Sequence, residues 1–144
     1  MHDPNCIFCK IVLGQIPSRK AYEDEAVLAF HDIHPIAPVH VLVIPKQHVA
    51  TLAEVGEAHQ AVLGRMLLVA PRIAREQGSD DGFRVILNTG RIGRQEVLHL
   101  HMHVLGGKEP LGAMLPPAPA VAVMIRFGGV IVPLRTVWLA VSAT

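Results

Sequence analysis

The stretch LHLHMHVLGG, residues 98–107, places three histidines at alternate positions of a strongly apolar segment. Alternation with a period of two predicts a β-strand, in which successive side chains point to opposite faces. His99, His101 and His103 are therefore expected on one face, and the apolar residues between them on the other. The apolar face would pack on a core, while the histidine face would meet a polar cleft, a metal ion or an anion.

The composition indicates a single domain with a sizeable core, because 51% of the 144 residues are hydrophobic and 17% are charged. The formal net charge of +1 gives no electrostatic footprint for nucleic acid or anionic lipid, so neither is expected as a partner. The first ten residues show no basic segment followed by an apolar one, and the chain has two cysteines. A reducing, cytoplasmic location is therefore expected.

The spacing of apolar and turn residues predicts the order of helices and strands. Helices are expected over 6–14 and 57–77, two strands around a tight turn within 20–33, and single strands over 40–46, 83–90 and 97–105. Thr51 and Glu54 resemble a capping box, and Gly78 suits the end of the longer helix. Pro71 should kink or split that helix. This order favours an α+β fold with an antiparallel sheet.

The C-terminal part of the sequence differs in composition from the rest. Residues 112–144 contain no acidic residue, and their apolar segment is interrupted by an arginine, two glycines and a proline. This segment is too short and too interrupted for a membrane span. We expect a domain over 1–117 and an apolar extension over 118–144, in which 121–141 pack on the domain, on a dimer mate or on another partner. A disordered extension without function is the alternative.

Two chemistries compete for the histidines. A His-x-His pair can ligate zinc, with water completing an open catalytic site. Alternatively, one imidazole attacks phosphorus itself, while neighbouring donors stabilise the developing charge. The second chemistry needs neutral donors for phosphate oxygens, which Asn88 and Gln95 can supply, and a carboxylate at Asp32 can accept two sugar hydroxyls. His40 and His48 flank another predicted strand and would add two imidazoles if that strand lies beside the triad.

The sequence resembles the histidine triad (HIT) superfamily, and most closely its Hint branch, in segments that occur in the same order: CIFCKI, AFHDIHPIAPVHVLVIPKQH, ILNTGRIGRQEVLHLHMHVLGG and LGAML. The resemblance extends over about residues 5–117. It implies a HIT-like α+β fold with about five antiparallel strands, one long helix and one short helix. It also implies a nucleotide-binding homodimer whose two sheets join into one continuous sheet.

The resemblance implies roles for individual residues. His101 would be the nucleophile, His103 would bind phosphate and assist the leaving group, and His40 would be a fourth active-site imidazole. Asp32 would bind the ribose, and Asn88 the α-phosphate. The purine pocket would be formed by four apolar side chains: Ile7, Phe8, Ile11 and Phe30.

The pair Cys6 and Cys9 forms a C-x-x-C motif, which is half of a zinc site or a redox pair. A redox motif follows a strand, and no strand is predicted before Cys6. Relatives with this motif imply that His48 and His99 complete a structural zinc site, so that the first triad histidine would hold structure rather than react. Two free, buried cysteines are the alternative.

The expected function is hydrolysis of purine nucleoside 5'-phosphoramidates, or of aminoacyl-adenylates, through a covalent nucleotidyl-histidine, with no cofactor needed for the chemistry. The alternatives are a dinucleoside polyphosphate hydrolase or nucleotidyltransferase, a nucleotide-binding regulator with incidental catalysis, and a zinc hydrolase. Arg94 departs from the family pattern, which often has glycine there, and would either clamp or crowd the phosphate. Glu96 and Leu98 are smaller departures that leave the nucleophile in place.

Overall fold

The computed structural model describes residues 2–114, 124–127 and 130–133. The chain divides into two compact units, residues 1–111 and 112–144. The elements of the first unit are α1 (Ile7–Val12), β1 (Lys20–Glu23), β2 (Val27–His31), β3 (Val39–Pro45), α2 (Gln60–Glu76), β4 (Phe83–Leu87) and β5 (Met102–Gly106). The second unit contains β6 (Met124–Phe127) and β7 (Val130–Pro133), which pair as antiparallel strands.

The first unit is built on a five-stranded antiparallel sheet with the strand order β1-β2-β3-β5-β4. With one long helix and one short helix, this architecture confirms the predicted α+β fold. Strand β3 occupies the centre, and all seven of its residues are buried. A central strand that is covered on both faces reads as a continuous apolar run, as VHVLVIP does here.

The two faces of β3 pack on different layers. Val39, Val41 and Val43 belong to the core that includes α2, where Met66, Val69 and Ile73 are buried. Leu42 and Ile44 point to the opposite side, into a smaller cluster with α1 and β2. Each large side chain that is fully buried contributes about 1.5–3 kcal/mol to the free energy of unfolding. Helix α2 therefore covers one face of the sheet, and α1 and the histidines lie on the other face.

Helix α2 begins at Gln60, later than predicted, because the preceding residues form two short 3₁₀ turns, Leu52–Glu54 and Glu57–His59. Thr51 caps the first turn, with its hydroxyl accepting from the N–H of Ala53 at 3.2 Å. Pro71 lies inside α2 without splitting it. A proline removes one bond to the carbonyl four residues earlier, and that residue, Leu67, is 52% exposed. The freed carbonyl therefore belongs to a residue on the exposed side of α2.

The prediction that all three triad histidines lie on one strand is wrong for two of them. Strand β5 begins at Met102, so His99 and His101 lie in the irregular segment before it. Other backbone hydrogen bonds replace those of a regular strand in this segment. His99 N–H donates to Val97 O at 2.9 Å, and Leu100 N–H donates to Val49 O at 2.7 Å. The alternation of faces persists nonetheless, because Leu100 and Met102 are fully buried in the core on the α2 side.

The expected domain boundary after residue 117 lies outside the described residues, as does most of the segment 121–141. No helix within the described ranges is long and apolar enough to cross a membrane.

Asp24 organises the turn between β1 and β2. Its Oδ1 accepts from the N–H groups of Ala26 at 2.9 Å and Val27 at 2.8 Å. Its Oδ2 accepts from the Tyr22 hydroxyl at 2.9 Å and from Arg65 Nε at 2.6 Å. Burial alone would raise the pKa of Asp24, but these hydrogen bonds outweigh it and hold the pKa well below its usual range.

We predict that Asp24→Ala lowers the free energy of unfolding at pH 7 by about 1–3 kcal/mol, because it leaves these donors without their acceptor. A carboxylate with a depressed pKa stabilises the fold above its unfolded pKa, and that contribution disappears as the pH falls. Urea denaturation at pH 7 and near pH 3.5 should therefore show a smaller loss in acid. Glu25→Ala, at an exposed carboxylate of the same turn, is the matched control. An equal loss for Asp24→Ala at both pH values would contradict this account.

Candidate active site

The floor of the site is a row of side chains that crosses three strands. Phe30 of β2 pairs with Leu42 of β3, which in turn pairs with His103 of β5. Paired residues of neighbouring strands project to the same face, so these three side chains lie side by side. Phe8 of α1 covers one end of the row, with its ring edge-on to Phe30 at 5.5 Å between centroids. The row and the helix together bound a cavity.

This cavity has a volume of about 560 Å³ and brings together seven of the predicted site residues: Ile7, Phe8, Ile11, Phe30, Asp32, His101 and His103. Its walls combine a mainly apolar surface with polar side chains, which is the usual composition of a pocket for a small molecule. Further residues that were not predicted to belong to the site also line it: Ile16, Pro17, Ser18, Arg19, His31, Ile33, Leu42, Glu96 and Val97. Alternation along β3 could have identified Leu42, whereas the loop residues carry no periodic signal.

His101 is held by a backbone group two residues earlier in the chain. Its Nδ1 lies 2.6 Å from the carbonyl oxygen of His99. A carbonyl oxygen only accepts, so Nδ1 carries a proton and, in the neutral ring, Nε2 carries the lone pair. The rings of Phe8 and His103 pack edge-on against His101 at 5.4 Å and 5.1 Å. His101 therefore presents a restrained nitrogen lone pair beside the cavity.

A chain of hydrogen bonds fixes the proton on His103. The backbone N–H of Ile36 donates to His40 Nδ1 at 3.2 Å, so the proton of His40 resides on Nε2. His40 Nε2 lies 2.9 Å from His103 Nδ1 and 3.5 Å from Asp32 Oδ2. In this arrangement His103 Nδ1 accepts and His103 Nε2 bears the proton. Within the described residues, this buried Nε2 has no hydrogen-bond partner, so it is a donor available to a ligand.

Burial keeps these imidazoles uncharged. It lowers the pKa of His103 to about 4, with further lowering from His101 and His40 and an opposing effect of Asp32. Burial also lowers the pKa of His40, against the attraction of the same carboxylate. Both rings are therefore neutral near pH 7. A neutral pair suits a site that accepts an anionic ligand through hydrogen bonds rather than through a fixed positive charge.

Cys6, Cys9, His48 and His99 form a second cluster, whose ligand-type atoms all lie within 4.8 Å of one another. His99 Nδ1 is 3.4 Å from Cys6 Sγ, 3.6 Å from Cys9 Sγ and 3.3 Å from His48 Nδ1. A tetrahedral zinc ion with bonds of about 2.3 Å to sulfur and about 2.0 Å to nitrogen separates its ligands by about 3.3–3.8 Å. The four side chains therefore fit a closed tetrahedral site.

The surroundings of the cluster support the same fit. His99 Nε2 lies 2.9 Å from the carbonyl of Pro45, so its proton is on Nε2 and its lone pair on Nδ1 faces the cluster. Backbone N–H groups approach both sulfur atoms, from Cys9 to Cys6 Sγ and from Asp3 to Cys9 Sγ, each at 3.4 Å. Burial raises the pKa of the Cys9 thiol, and a bound cation would reverse that shift.

Two predicted phosphate ligands do not line the cavity. The side-chain amide of Gln95 donates to Ala50 O at 2.7 Å and Val97 O at 2.9 Å, while its oxygen accepts from Gly90 N–H at 3.1 Å. These bonds use the amide to hold the loop before the triad. Asn88 is also absent from the lining residues. Asn88 and Gln95 therefore lie outside the cavity lining, whereas Glu96 and Val97, which follow them in the chain, reach it.

Arg94 lies in the same loop with a φ of +56°, in the left-handed region that favours glycine. Its side chain is exposed and does not line the cavity. Gly93, beside it, has no room for a side chain, because an added Cβ would lie 2.5 Å from the carbonyl oxygen of Thr89. This backbone conformation suits the glycine that the family pattern leads one to expect at Arg94.

The geometry agrees with comparisons to known proteins. The HIT domain family matches residues 13–110. The chain is 51% identical over 110 residues to the purine nucleoside phosphoramidase of Escherichia coli K12, covering 76% of this chain and 92% of that protein. It is 47% identical over 111 residues to a 14 kDa zinc-binding protein of Zea mays, covering 76% and 87%. A histidine triad protein of Clostridium difficile superposes with a TM-score of 0.74 at 47% identity, covering 78% and 99%. The chain belongs to the HIT family.

The depressed pKa of His103 makes stability depend on pH. The unfolded ring titrates near 6.5 and the folded ring at about 4, so the unfolded chain binds more protons between these values. The free energy of unfolding should therefore fall as the pH drops through this window. We predict that His103→Asn shows a smaller loss of Tm than the wild type between pH 7 and pH 5.

The control for this experiment is His34→Asn, at an exposed histidine. It should reproduce the wild-type loss, including any part that arises from the cysteine–histidine cluster. A His103→Asn profile parallel to that of the wild type would show that burial does not keep this ring neutral.

Proposed function

We propose that the chain is a nucleotide-binding hydrolase that cleaves purine nucleoside 5'-phosphoramidates, or closely related aminoacyl-adenylates. The observation that carries this proposal is the opposed protonation of two rings in one cavity. His101 Nε2 bears a lone pair, since its Nδ1 donates to a carbonyl, and His103 Nε2 bears an unpartnered proton. A nucleophile beside a hydrogen-bond donor is the arrangement that displacement at phosphorus requires.

In the proposed reaction, His101 Nε2 attacks phosphorus and the P–N bond to the leaving amine breaks. The leaving nitrogen takes up a proton from solvent and departs as the neutral amine, while His103 Nε2–H hydrogen-bonds to a phosphoryl oxygen or to that nitrogen. Water then attacks the nucleotidyl-histidine and loses a proton to solvent, the bond between phosphorus and Nε2 breaks, and the nucleoside monophosphate and the neutral His101 ring are released. The carbonyl of His99 stabilises the positive charge on the His101 ring during the covalent stage, because it accepts from Nδ1–H.

The rest of the cavity suits a nucleoside. Asp32 has one carboxylate oxygen engaged with His34 N–H at 2.8 Å and the other near His40, and the group lines the cavity. We assign it to the ribose hydroxyls, which such a carboxylate binds as an acceptor. The apolar wall that includes Phe8 and Phe30 would hold the purine. Asn88 and Gln95 would act on the phosphate only after the loop rearranges.

The first alternative is a dinucleoside polyphosphate hydrolase or nucleotidyltransferase, which would use the same nucleophile. The similarity to a protein named purine nucleoside phosphoramidase favours cleavage of a P–N bond. Comparing kcat/KM for an adenosine phosphoramidate and a diadenosine polyphosphate decides between them. A zinc hydrolase is the other alternative. The four-ligand cluster leaves no open position for a catalytic zinc, but Asp32, His40 and His103 also lie close enough together to hold an ion. Turnover that survives chelation in a folded sample would exclude this alternative.

We also propose that the chain forms a homodimer. The edge strand β4 exposes Phe83 by 39% and Val85 by 38%, and α2 exposes Leu67 and Leu68. Exposed apolar side chains on an edge strand and an adjacent helix suit pairing with a second copy. Sedimentation equilibrium that finds only monomers at micromolar concentration would contradict this proposal.

We predict that His101→Ala lowers kcat toward an adenosine phosphoramidate by about 10³-fold or more, because the nucleophile is lost while the rest of the site remains. Steady-state kinetics measure the loss, and binding of adenosine monophosphate checks that the cavity is intact. His34→Ala, which removes an exposed imidazole near the site, should keep most of the activity. An active His101→Ala would refute the assigned nucleophile.

We further propose that Cys6, Cys9, His48 and His99 hold one structural zinc ion. Elemental analysis of protein purified without chelators should find about one zinc per chain. Cys6→Ser should lose the metal and lower the Tm, since metal ligation contributes to folding. Protein without zinc, or a variant that loses zinc at unchanged Tm, would remove the structural role.

A further inference from the structure

Helix α1 carries both the cysteines of the metal-type cluster and one wall of the cavity. Cys6 is the N-cap residue and Cys9 lies one turn later, and both sulfur atoms face His99. Ile7, Phe8 and Ile11 of the same helix line the cavity. The helix has only six residues and cannot be stable in isolation. Its position therefore depends on what its side chains contact.

His99 forms the second connection between the cluster and the cavity. Its ring contributes Nδ1 to the cluster and is anchored by the bond from Nε2 to the carbonyl of Pro45. Its own carbonyl accepts from Nδ1 of His101 and so sets the orientation of that ring. A movement of the His99 side chain and backbone would be transmitted directly to His101.

Phe8 forms a third connection. Its ring packs edge-on against His99 at 5.8 Å and against His101 at 5.4 Å between centroids. It is buried, and it lies between the two cysteines in the sequence. One aromatic ring thus contacts a residue of the cluster and a residue of the reaction centre at the same time.

We propose that the metal cluster and the nucleotide cavity are thermodynamically coupled, so that a cation on Cys6, Cys9, His48 and His99 tightens nucleotide binding and the nucleotide tightens metal binding. This inference rests on the proposed nucleotide-binding function. Both ligands require α1 docked on the sheet and His101 held by the His99 carbonyl. The first ligand to bind incurs the ordering cost, and the second then binds to an ordered site, so the coupling is positive. His99 and Phe8 are positioning residues in this scheme.

The first test measures the coupling in both directions with adenosine monophosphate as the probe. Calorimetry gives its Kd for zinc-loaded and chelator-stripped protein, and competition with a chromophoric chelator gives the zinc affinity with and without the nucleotide. We expect about fivefold or tighter binding in each direction, by the same factor, because linkage is reciprocal. Equal nucleotide affinity of the two forms would overturn the coupling alone. Failure of both forms to bind the nucleotide would overturn the proposed function as well.

The second test identifies the route with two variants of the same helix. Phe8→Leu keeps all four ligand residues but removes the ring that contacts His99 and His101. It should bring the coupling factor close to one. Ile7→Ala also shortens the cavity wall, but Ile7 is 48% exposed and is not one of the rings packed on His99. It should weaken nucleotide binding and leave the coupling factor unchanged. The reverse pattern would overturn the assigned route.

A third measurement removes any dependence on the stability of metal-free protein. Cobalt(II) replaces zinc, and the thiolate-to-cobalt and d–d absorption bands are recorded during titration with adenosine monophosphate. We expect a saturable spectral change with the same midpoint as the calorimetric binding curve, and a much smaller change in Phe8→Leu. A spectrum that stays unchanged at saturating nucleotide would overturn the proposal.

Discussion

The 2.6 Å hydrogen bond from His101 Nδ1 to the carbonyl of His99 is the contact on which the site depends. It selects the tautomer of His101, directs the ring toward the cavity and provides an acceptor for charge on that ring. It is possible only because the chain turns before β5 begins, leaving the His99 carbonyl free of a strand partner. The departure from the expected strand at His99 and His101 is therefore the feature that creates this contact.

Backbone hydrogen bonds lower the energetic cost of burying these imidazole rings. Buried imidazoles are costly unless each nitrogen has a partner, and the structure supplies these partners from backbone groups: the N–H of Ile36 for His40, and the carbonyls of Pro45 and His99 for the first two triad histidines. One nitrogen of each of these three rings is thus satisfied by a backbone group. The buried Nε2 of His103 has no hydrogen-bond partner among the described residues, and His103 is one of the residues that line the cavity.

Much of the fold could be predicted because it follows from local patterns. Alternation along β3 and in LHLHMHVLGG separates the helix-covered face from the histidine face, and that separation is seen in the structure. Sequence patterns predicted less where contacts between residues distant in the sequence determine the local structure. The bond of Leu100 N–H to Val49 ends the ladder early, the exposed position of Leu67 lets Pro71 remain within α2, and the amide of Gln95 is taken up by three loop bonds. The residues from Ile16 to Arg19 reach the cavity through a loop whose path no periodicity encodes.

The central claim is that His101 Nε2 becomes covalently bonded to phosphorus. Rapid-quench mass spectrometry of the protein mixed with an adenosine phosphoramidate tests it most directly. The account predicts a transient adduct on the peptide that contains His101, with the mass of one adenosine monophosphate less water. The adduct should be absent in His101→Ala and should disappear at the rate of turnover. Turnover by wild-type protein with no such adduct at any time, or with the adduct on another residue, would contradict the account.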